Sequence, residues 1–278
     1  MNKLWTFFGK TFRAFMALLI FVWSAFPILF IISSSFRRQR DILQFPPVIW
    51  VKPIINNYIS LWSQWGDFFV TIRNSIIIAL GATILAAIVS FFAGYAYSRY
   101  SNRFLAASAI YMIAIRLLPP IVVSLPLFPI VNYLGINDRH ITLILLHTAF
   151  WVSLYSMIMK NFIDEIPKEL DDAAAIDGAS EMQTIIRIML PLSMQGIASG
   201  AIFVFVFSWN EFLFSMIFST RVARTAPLII SEIMGAIDGV DWGMLFAGVT
   251  IQLVPVVVLI LLAQKLLVAG LTAGSVKE

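Results

Sequence analysis

This chain of 278 residues has no cysteine and few charged residues. Without cysteine it can form no disulfide, thiolate nucleophile or cysteine-ligated metal centre. Charged residues make up 12% of the sequence and hydrophobic residues 60%, a balance that excludes an ordinary soluble domain. The net charge of +4 arises from bases scattered among apolar runs, so the sequence also lacks the dense basic surface of a nucleic-acid-binding protein.

The motifs of nucleotide hydrolysis and of common hydrolases are also missing. The sequence contains no G-x-x-x-x-G-K-[ST] loop, no H-E-x-x-H pair and no G-x-S-x-G turn. His140 and His147 have no carboxylate at a metal-ligand spacing. We therefore expect a chain that is not an enzyme and holds no metal or cofactor of its own, and we expect His147 to form a hydrogen bond between packed helices.

Long apolar runs dominate what is present. A helix needs about 20 apolar residues to cross a hydrocarbon core of about 30 Å, because each residue rises about 1.5 Å. The runs are continuous rather than alternating, which favours helices over the strands of a barrel. The sequence predicts an all-α integral membrane protein, a six-transmembrane-helix bundle that forms a single domain over residues 1–278. The predicted spans are residues 12–35, 74–97, 104–133, 141–162, 192–218 and 244–268.

Prolines and glycines modify two of these spans. The third span is predicted to be discontinuous, because each proline removes a backbone donor and kinks or breaks its helix. Its prolines are Pro119, Pro120, Pro126 and Pro129. In the fifth span, Gly196 and Gly200 form a small-xxx-small pair that would let another helix approach closely.

The distribution of basic residues bears on orientation. Six spans put both termini on one side of the membrane, and that side carries ten Lys and Arg residues against eight on the other. An excess of this sign favours termini in the cytoplasm. The expected location is the inner or cytoplasmic membrane, with multiple crossings.

The loop at residues 163–190, on the side of the termini, holds seven of the fifteen acidic residues. Pro167 suits the start of a short helix, and Gly178 suits its end. Ser180 with Gln183 makes a capping box for a second short helix. The loop is thus predicted to be two short helices meeting at Gly178, either with a docking face or as a solvated amphipathic segment on the membrane surface. The small, partly apolar docking face consists of Leu170, Ala173, Ala174 and Ala175.

Within this loop lies a motif of fixed spacing. Its members are Asp172, Ala173, Ala174, Gly178, Ile188, Leu190 and Pro191. The pattern resembles the E-A-A-x3-G-x9-I-x-L-P motif of permease subunits in binding-protein-dependent ABC importers, except that Asp172 stands for the usual Glu. A wider likeness points to the carbohydrate-uptake branch, which includes the smaller permease subunit of the maltose importer. The segments that carry it are residues 166–179, 208–212, 241–243 and 270–277.

This resemblance implies a transmembrane permease subunit of an ATP-driven sugar importer that forms half of the translocation pathway. The implied partners are a second permease in a heterodimer, two ATPase subunits that carry ATP and Mg, and an extracytoplasmic solute-binding protein. The 163–190 loop would hold a coupling helix that sits in a cleft of the ATPase. The residues implied in coupling are Glu169, Asp172, Ala173, Ala174, Gly178, Leu190 and Pro191.

Polar residues at membrane depth supply candidate substrate contacts. Arg116 falls in the predicted break of the third span, and charged groups at that depth are costly unless they serve a function or are paired. In the fifth span Trp209, Asn210 and Glu211 place an aromatic face beside hydrogen-bonding groups, a combination that suits a sugar. The alternative is that Arg116 and Glu211 are structural, paired with each other or with the second permease chain.

Two other functions compete with the importer. An ion-gradient-driven secondary carrier usually shows paired repeats and several membrane-buried carboxylates, whereas here the acids cluster in one loop. An intramembrane enzyme is disfavoured by the missing catalytic motifs. Docking of an ATPase on residues 163–190 would separate the importer from both.

Overall fold

The computed structural model describes residues 2–46, 48, 50–236 and 239–273, with side chains described between residues 10 and 263 of those ranges. The described residues form helices and no strand. A single π-helical segment, Ile185–Met189, lies between α9 and α10. The α-helices are α1 (Asn2–Ser35), α2 (Gln39–Ile42), α3 (Asn56–Gln64), α4 (Phe68–Arg99), α5 (Arg103–Ile115), α6 (Pro120–Tyr133), α7 (His140–Asp164), α8 (Glu169–Ile176), α9 (Glu181–Thr184), α10 (Leu190–Leu192), α11 (Met194–Trp209), α12 (Leu213–Phe218), α13 (Ala226–Met234) and α14 (Trp242–Ala273).

The helices provide up to six membrane crossings among the described residues. Helices α1, α4, α7 and α14 are each long and apolar enough to cross a membrane. Two further crossings are bent pairs: α5 with α6, bent by 102°, and Glu181–Leu192 with α11, bent by 72°. Counting each bent pair as one span gives six, so the predicted all-α, multi-pass fold is confirmed.

The bend between α5 and α6 confirms the predicted discontinuity of the third span. Helix α5 ends at Ile115, and Pro120 is the first residue of α6. Proline lacks an amide hydrogen and fixes φ near −65°, so it starts a helix more readily than it continues one.

The fifth span differs from the prediction of one helix over residues 192–218. Helix α11 ends at Trp209, and a separate short helix, α12, begins at Leu213. The side-chain amide of Asn210 donates to the Val206 carbonyl at 2.7 Å, and Glu211 accepts the amides of Phe214 and Ser215 in the first turn of α12. These side chains compete with the backbone ladder, which explains why the helix breaks here.

Contacts within the chain group it into two units. The first comprises residues 1–68 with 230–254. Within it, the buried Asn57 donates its side-chain amide to the carbonyls of Ser35 at 2.7 Å and Arg37 at 2.8 Å. Gly243 lies against Asn57, where a Cβ would come within 2.6 Å of its Oδ1. Asn57 therefore satisfies the carbonyls at the end of α1, where no further helical turn can do so.

The second unit comprises residues 69–229 with 255–278, and it contains the candidate sites. That the whole chain acts as one domain stays a prediction. Helix α11 approaches α7 closely: a Cβ on Gly200 would lie 1.8 Å from the Tyr155 ring, and one on Gly196 would lie 2.6 Å from Phe162. The close approach predicted from these two glycines is confirmed.

Candidate coupling loop and membrane site

Residues 163–190 form two short helices around a glycine. Helix α8 ends at Ile176, and Gly178 adopts a φ of +79°, a conformation that glycine reaches without steric cost. Helix α9 begins with a capping box: Ser180 Oγ accepts the Gln183 amide, and Gln183 Oε1 accepts the Ser180 amide. Both the turn at Gly178 and the second helix start are confirmed.

Most of the residues expected to contact an ATPase lie on the surface of the chain. Ala174 differs, since it is 5% exposed and packs inward, so the docking face of α8 is smaller than predicted. Leu190 is partly buried against the core cluster of α4 and α7. The exposed residues are Glu169, Asp172, Ala173, Gly178 and Pro191.

Behind α8 lies a buried arginine that the sequence did not single out. The side chain of Arg99, the last residue of α4, is 7% exposed, and its Nε donates to Asp171 Oδ2 at 2.7 Å. Its Nη1 donates to the Ile163 carbonyl at 3.2 Å, and its Nη2 donates to the Ile166 carbonyl at 3.0 Å. One guanidinium thus bonds α8, the end of α7 and the turn after it to α4.

Two tyrosines of the same region extend this contact. Tyr95 donates to Asp171 Oδ1 at 3.5 Å, and the Tyr100 hydroxyl donates to Glu181 Oε1. The hydrogen bond to Glu181 raises the pKa of Tyr100 to about 12, which keeps the hydroxyl protonated as a donor. The end of α4 and the residue after it therefore contact both short helices of the loop.

Arg116 lies at the bend between α5 and α6 and covers aromatic rings of α7. Its guanidinium carbon is 5.1 Å from the centre of the Trp151 ring and 5.8 Å from that of Phe150, which is cation–π distance. Trp151 in turn stacks on Phe207 at 4.4 Å. Arg116 and Phe150 also line a cavity of about 100 Å³, whose other walls are apolar side chains including Phe214.

Glu211 does not meet Arg116 in an ion pair. Its carboxylate accepts the amides of Phe214 at 2.8 Å and Ser215 at 3.4 Å, as an N-terminal cap of α12 does. Its Oε2 also lies 3.3 Å from His147 Nε2, at an angle that makes no hydrogen bond. His147 is fully buried and its Nδ1 lies 2.5 Å from Ser208 Oγ, so the expected helix-to-helix hydrogen bond is confirmed.

The two other candidate substrate residues have intramolecular contacts. Trp209 is 1% exposed and stacks on Phe205, with ring centres 6.1 Å apart. Asn210 uses its side-chain amide on the Val206 carbonyl. In this conformation Trp209 offers no face to a solute, and a substrate contact by Trp209 or Asn210 stays a prediction.

Before the start of α7, Asp138 holds a loop by the backbone of that loop. Its carboxylate accepts the amides of residues 220–223 at 2.9 to 3.1 Å. Partial burial by itself would raise the pKa of Asp138, but these amides outweigh it and lower the pKa to about 2. Asp138 has a φ of 57°, a conformation that Asp and Asn adopt more readily than most residues.

Sequence reasoning missed Arg99, Asp171 and Asp138 for one reason. Arg99 and its carboxylate partner are 72 residues apart, and Asp138 is at least 82 residues from the amides it accepts. No periodicity or spacing joins such distant residues. The only local signal was a basic residue just after a predicted span. A basic residue there is equally expected from the charge bias that sets the orientation of a membrane protein. No group of three or more metal-ligating side chains lies within the searched, described part of the chain.

The bent spans and the exposed loop around Gly178 belong to a multi-pass membrane protein. Residues 86–272 match the family described as the binding-protein-dependent transport system inner membrane component. The chain belongs to this family.

Individual proteins that resemble this chain are transport permeases or chains of ABC transporters. The trehalose/maltose transport system permease protein MalG of Thermococcus litoralis is 34% identical over 263 residues, 94% of each chain. The sulfoquinovosyl glycerol transport system permease protein SmoH of Agrobacterium fabrum is 30% identical, over 98% of this chain and 95% of SmoH. A chain of a bacterial ABC transporter that imports the acidic polysaccharide alginate shares the fold, with a TM-score of 0.76 and 17% identity over 94% of this chain and 96% of that one.

Proposed function

We propose that the chain is a permease subunit that forms half of the translocation pathway of an ATP-driven sugar importer, working with a second permease, two ATPase subunits and an extracytoplasmic solute-binding protein. The observation that carries this proposal is the exposed α8 segment, which has the motif residues Asp172 and Ala173 on its outer surface and is followed by the left-handed Gly178. Membership of a binding-protein-dependent transport family supports it. The named relatives belong to transport systems for trehalose/maltose and for sulfoquinovosyl glycerol, which supports sugar as the solute class.

The partner ATPase would drive transport through its contact with the 163–190 loop. The sequence has no nucleotide-binding loop, so ATP and Mg belong on the partner ATPase. Asp172 and Glu169 offer outward-facing charge, Ala173 permits close approach, and Gly178 orients the segment. This assignment puts the loop and both termini in the cytoplasm. An importer driven by ATP needs no ion gradient, so this proposal replaces the alternative that the chain is a secondary carrier.

Arg116 is the candidate substrate contact that we retain for the membrane site. Its side chain lines a cavity beside Phe150 and covers Trp151, so a solute there would meet aromatic faces and guanidinium donors together. Glu211 shapes the break between α11 and α12, and its role in binding solute stays a prediction.

The coupling assignment is tested by purifying the tagged chain from membranes with its partners. Gly178→Pro forces φ to about −65° and removes the amide that donates to Ala175 O, so we expect the ATPase to be lost while the second permease is retained. Gly135→Pro is the matched control: Gly135 has a φ of +65°, and its amide donates to Asn132 O.

Either of two results would overturn the proposal. The native chain could purify alone and move solute under an ion gradient, which would make it a carrier. Alternatively, Gly178→Pro could retain the ATPase as fully as Gly135→Pro does, which would show that the turn at Gly178 is not needed for docking.

A further inference from the structure

Asp171 and Asp172 are neighbours on α8, yet they face different surroundings. The Asp171 side chain is 20% exposed and pairs with the buried Arg99, whereas Asp172 is exposed. The first carboxylate is therefore held inside the chain, and the second is free to meet a partner protein. This division separates the contact that binds an ATPase from the contact that fixes α8 to the membrane helices.

The Arg99 side chain is suited to transmitting a displacement of α8 to α4, because its hydrogen bonds are directional. The guanidinium is a planar fork that fixes Asp171 and two backbone carbonyls, of Ile163 and Ile166, at the same time. A carboxylate with a carbonyl pair around one buried cation leaves few alternative arrangements. Movement of α8 without movement of Arg99 would leave a buried charge unpaired, which is costly.

The packing beneath the loop has the same effect. Ile185 and Met189 of the π-helical segment are buried in one cluster with Phe91 of α4 and Met159 of α7. Close-packed interiors move as units rather than deforming continuously. The base of the loop is therefore fixed by packing, and its outer helix α8 is fixed by Arg99.

We propose that Arg99 is a positioning residue for energy coupling: through Asp171 it makes α8 and the end of α4 move together, so that displacement of α8 by the ATPase repositions a membrane-spanning helix. This inference rests on the proposed docking of α8 on an ATPase. It assigns to Arg99 no contact with nucleotide or solute.

The test uses the complete importer in lipid nanodiscs, with ATP hydrolysis measured with and without the solute-binding protein loaded with the sugar that the native importer takes up. We expect Arg99→Met and Asp171→Asn to retain the ATPase on purification. Both should lower the stimulation of hydrolysis by the binding protein by about tenfold, within the usual range of coupling between sites. Arg99→Lys should fall between, because lysine keeps the charge but not the fork.

The chain offers two controls. Lys160→Met removes an ion pair with Asp164 in the same region, but both side chains are more than a third exposed, so stimulation should stay native. Asp172→Asn changes only the outer carboxylate, so it should weaken recovery of the ATPase rather than uncouple an assembled importer. Thermal melting of each nanodisc sample separates these effects from misfolding.

The outcomes separate this inference from the function on which it rests. Native stimulation in Arg99→Met, or an equal loss of stimulation and of assembly in Arg99→Met and Arg99→Lys, would overturn the positioning role. If Asp172→Asn left ATPase recovery unchanged while Arg99→Met uncoupled hydrolysis, Asp172 would not be part of the docking contact of α8, and the positioning role would stand.

Discussion

The second unit holds two charged groups that end or begin helices in opposite ways. Arg99 sits at the end of α4 and donates hydrogen bonds to residues 64 to 90 positions away, namely Ile163, Ile166, Asp171 and Met189. Glu211 sits before α12 and takes its hydrogen bonds from Phe214 and Ser215, three and four positions away. The first arrangement ties helices together by hydrogen bonds, whereas the hydrogen bonds of the second shape a turn, although the carboxylate also lies beside His147 of α7.

The comparison teaches what a charge near a membrane segment can do. A charge that is hydrogen-bonded by its own turn permits a helix break without fixing the position of distant helices. A charge that is hydrogen-bonded to several segments makes those segments move together. The break at Glu211 is thus suited to bending within a span. The junction at Arg99 is suited to carrying movement between the loop and a span.

The largest effect is expected from a change in the packing of α11 against α7, which lies in the same unit as Arg99 and Glu211. Gly200→Leu places side-chain atoms in the Tyr155 ring, and overpacking of this kind costs about 3 kcal/mol or more. We expect the variant not to accumulate as a folded protein, as judged by monodisperse elution in detergent. Phe203→Leu is the control on the same helix, because Phe203 is 45% exposed, and native elution of Gly200→Leu would show that α7 and α11 are not closely packed.

Next in size is the loss of the buried ion pair. Asp171→Asn leaves Arg99 without its counter-charge, and breaking such a pair costs about 3 kcal/mol. Asp164→Asn breaks the exposed pair with Lys160 and should cost less than about 0.5 kcal/mol. Denaturation in mixed micelles measures both, and equal losses would show that the junction is no stronger than a surface pair.

Asp138 combines the two arrangements, because its partners are distant in sequence but are all backbone amides. Asp138→Asn keeps one acceptor oxygen and loses the charge, so we expect a cost of about 2 kcal/mol at pH 7, typical of hydrogen bonds to a charged group. Asparagine also tolerates the φ of 57°, so the change adds no backbone strain.

The pH dependence of the Asp138 contribution follows from its lowered pKa. The folded pKa is about 2 against an ordinary value of 3.8, so the contribution is complete above about pH 4 and is lost as the pH falls towards 2. Melting temperatures from pH 7 to pH 3 should therefore fall further for the native chain than for Asp138→Asn. Parallel curves for the two proteins would contradict the amide contacts.

The smallest expected effect is at the local turn. Glu211→Ala removes the acceptor for the amides of Phe214 and Ser215 in the first turn of α12 and should cost about 1 kcal/mol, as helix caps usually do. If this variant lost as much stability as Asp171→Asn, the contrast between a shared and a local charge would fail. Glu211→Gln, which keeps one acceptor, should cost less.

The amino-acid sequence by itself determined the elements that depend on neighbouring residues. Continuous apolar runs specified the crossings, Pro119 and Pro120 located the break in the third span, and Gly178 with Ser180 specified the two short helices of the loop. Each is a local matter of burial, backbone geometry or capping, so the pattern of residues suffices.

Only the tertiary structure decided which residues meet across long stretches of chain. It turned Ala174 and Trp209 inward, paired Arg99 with Asp171 rather than with solvent, and placed Glu211 beside His147 instead of Arg116. These outcomes depend on how helices pack and on which buried charge finds a partner, and both are set by contacts between residues far apart in the sequence. Spacing along the chain carries no record of them.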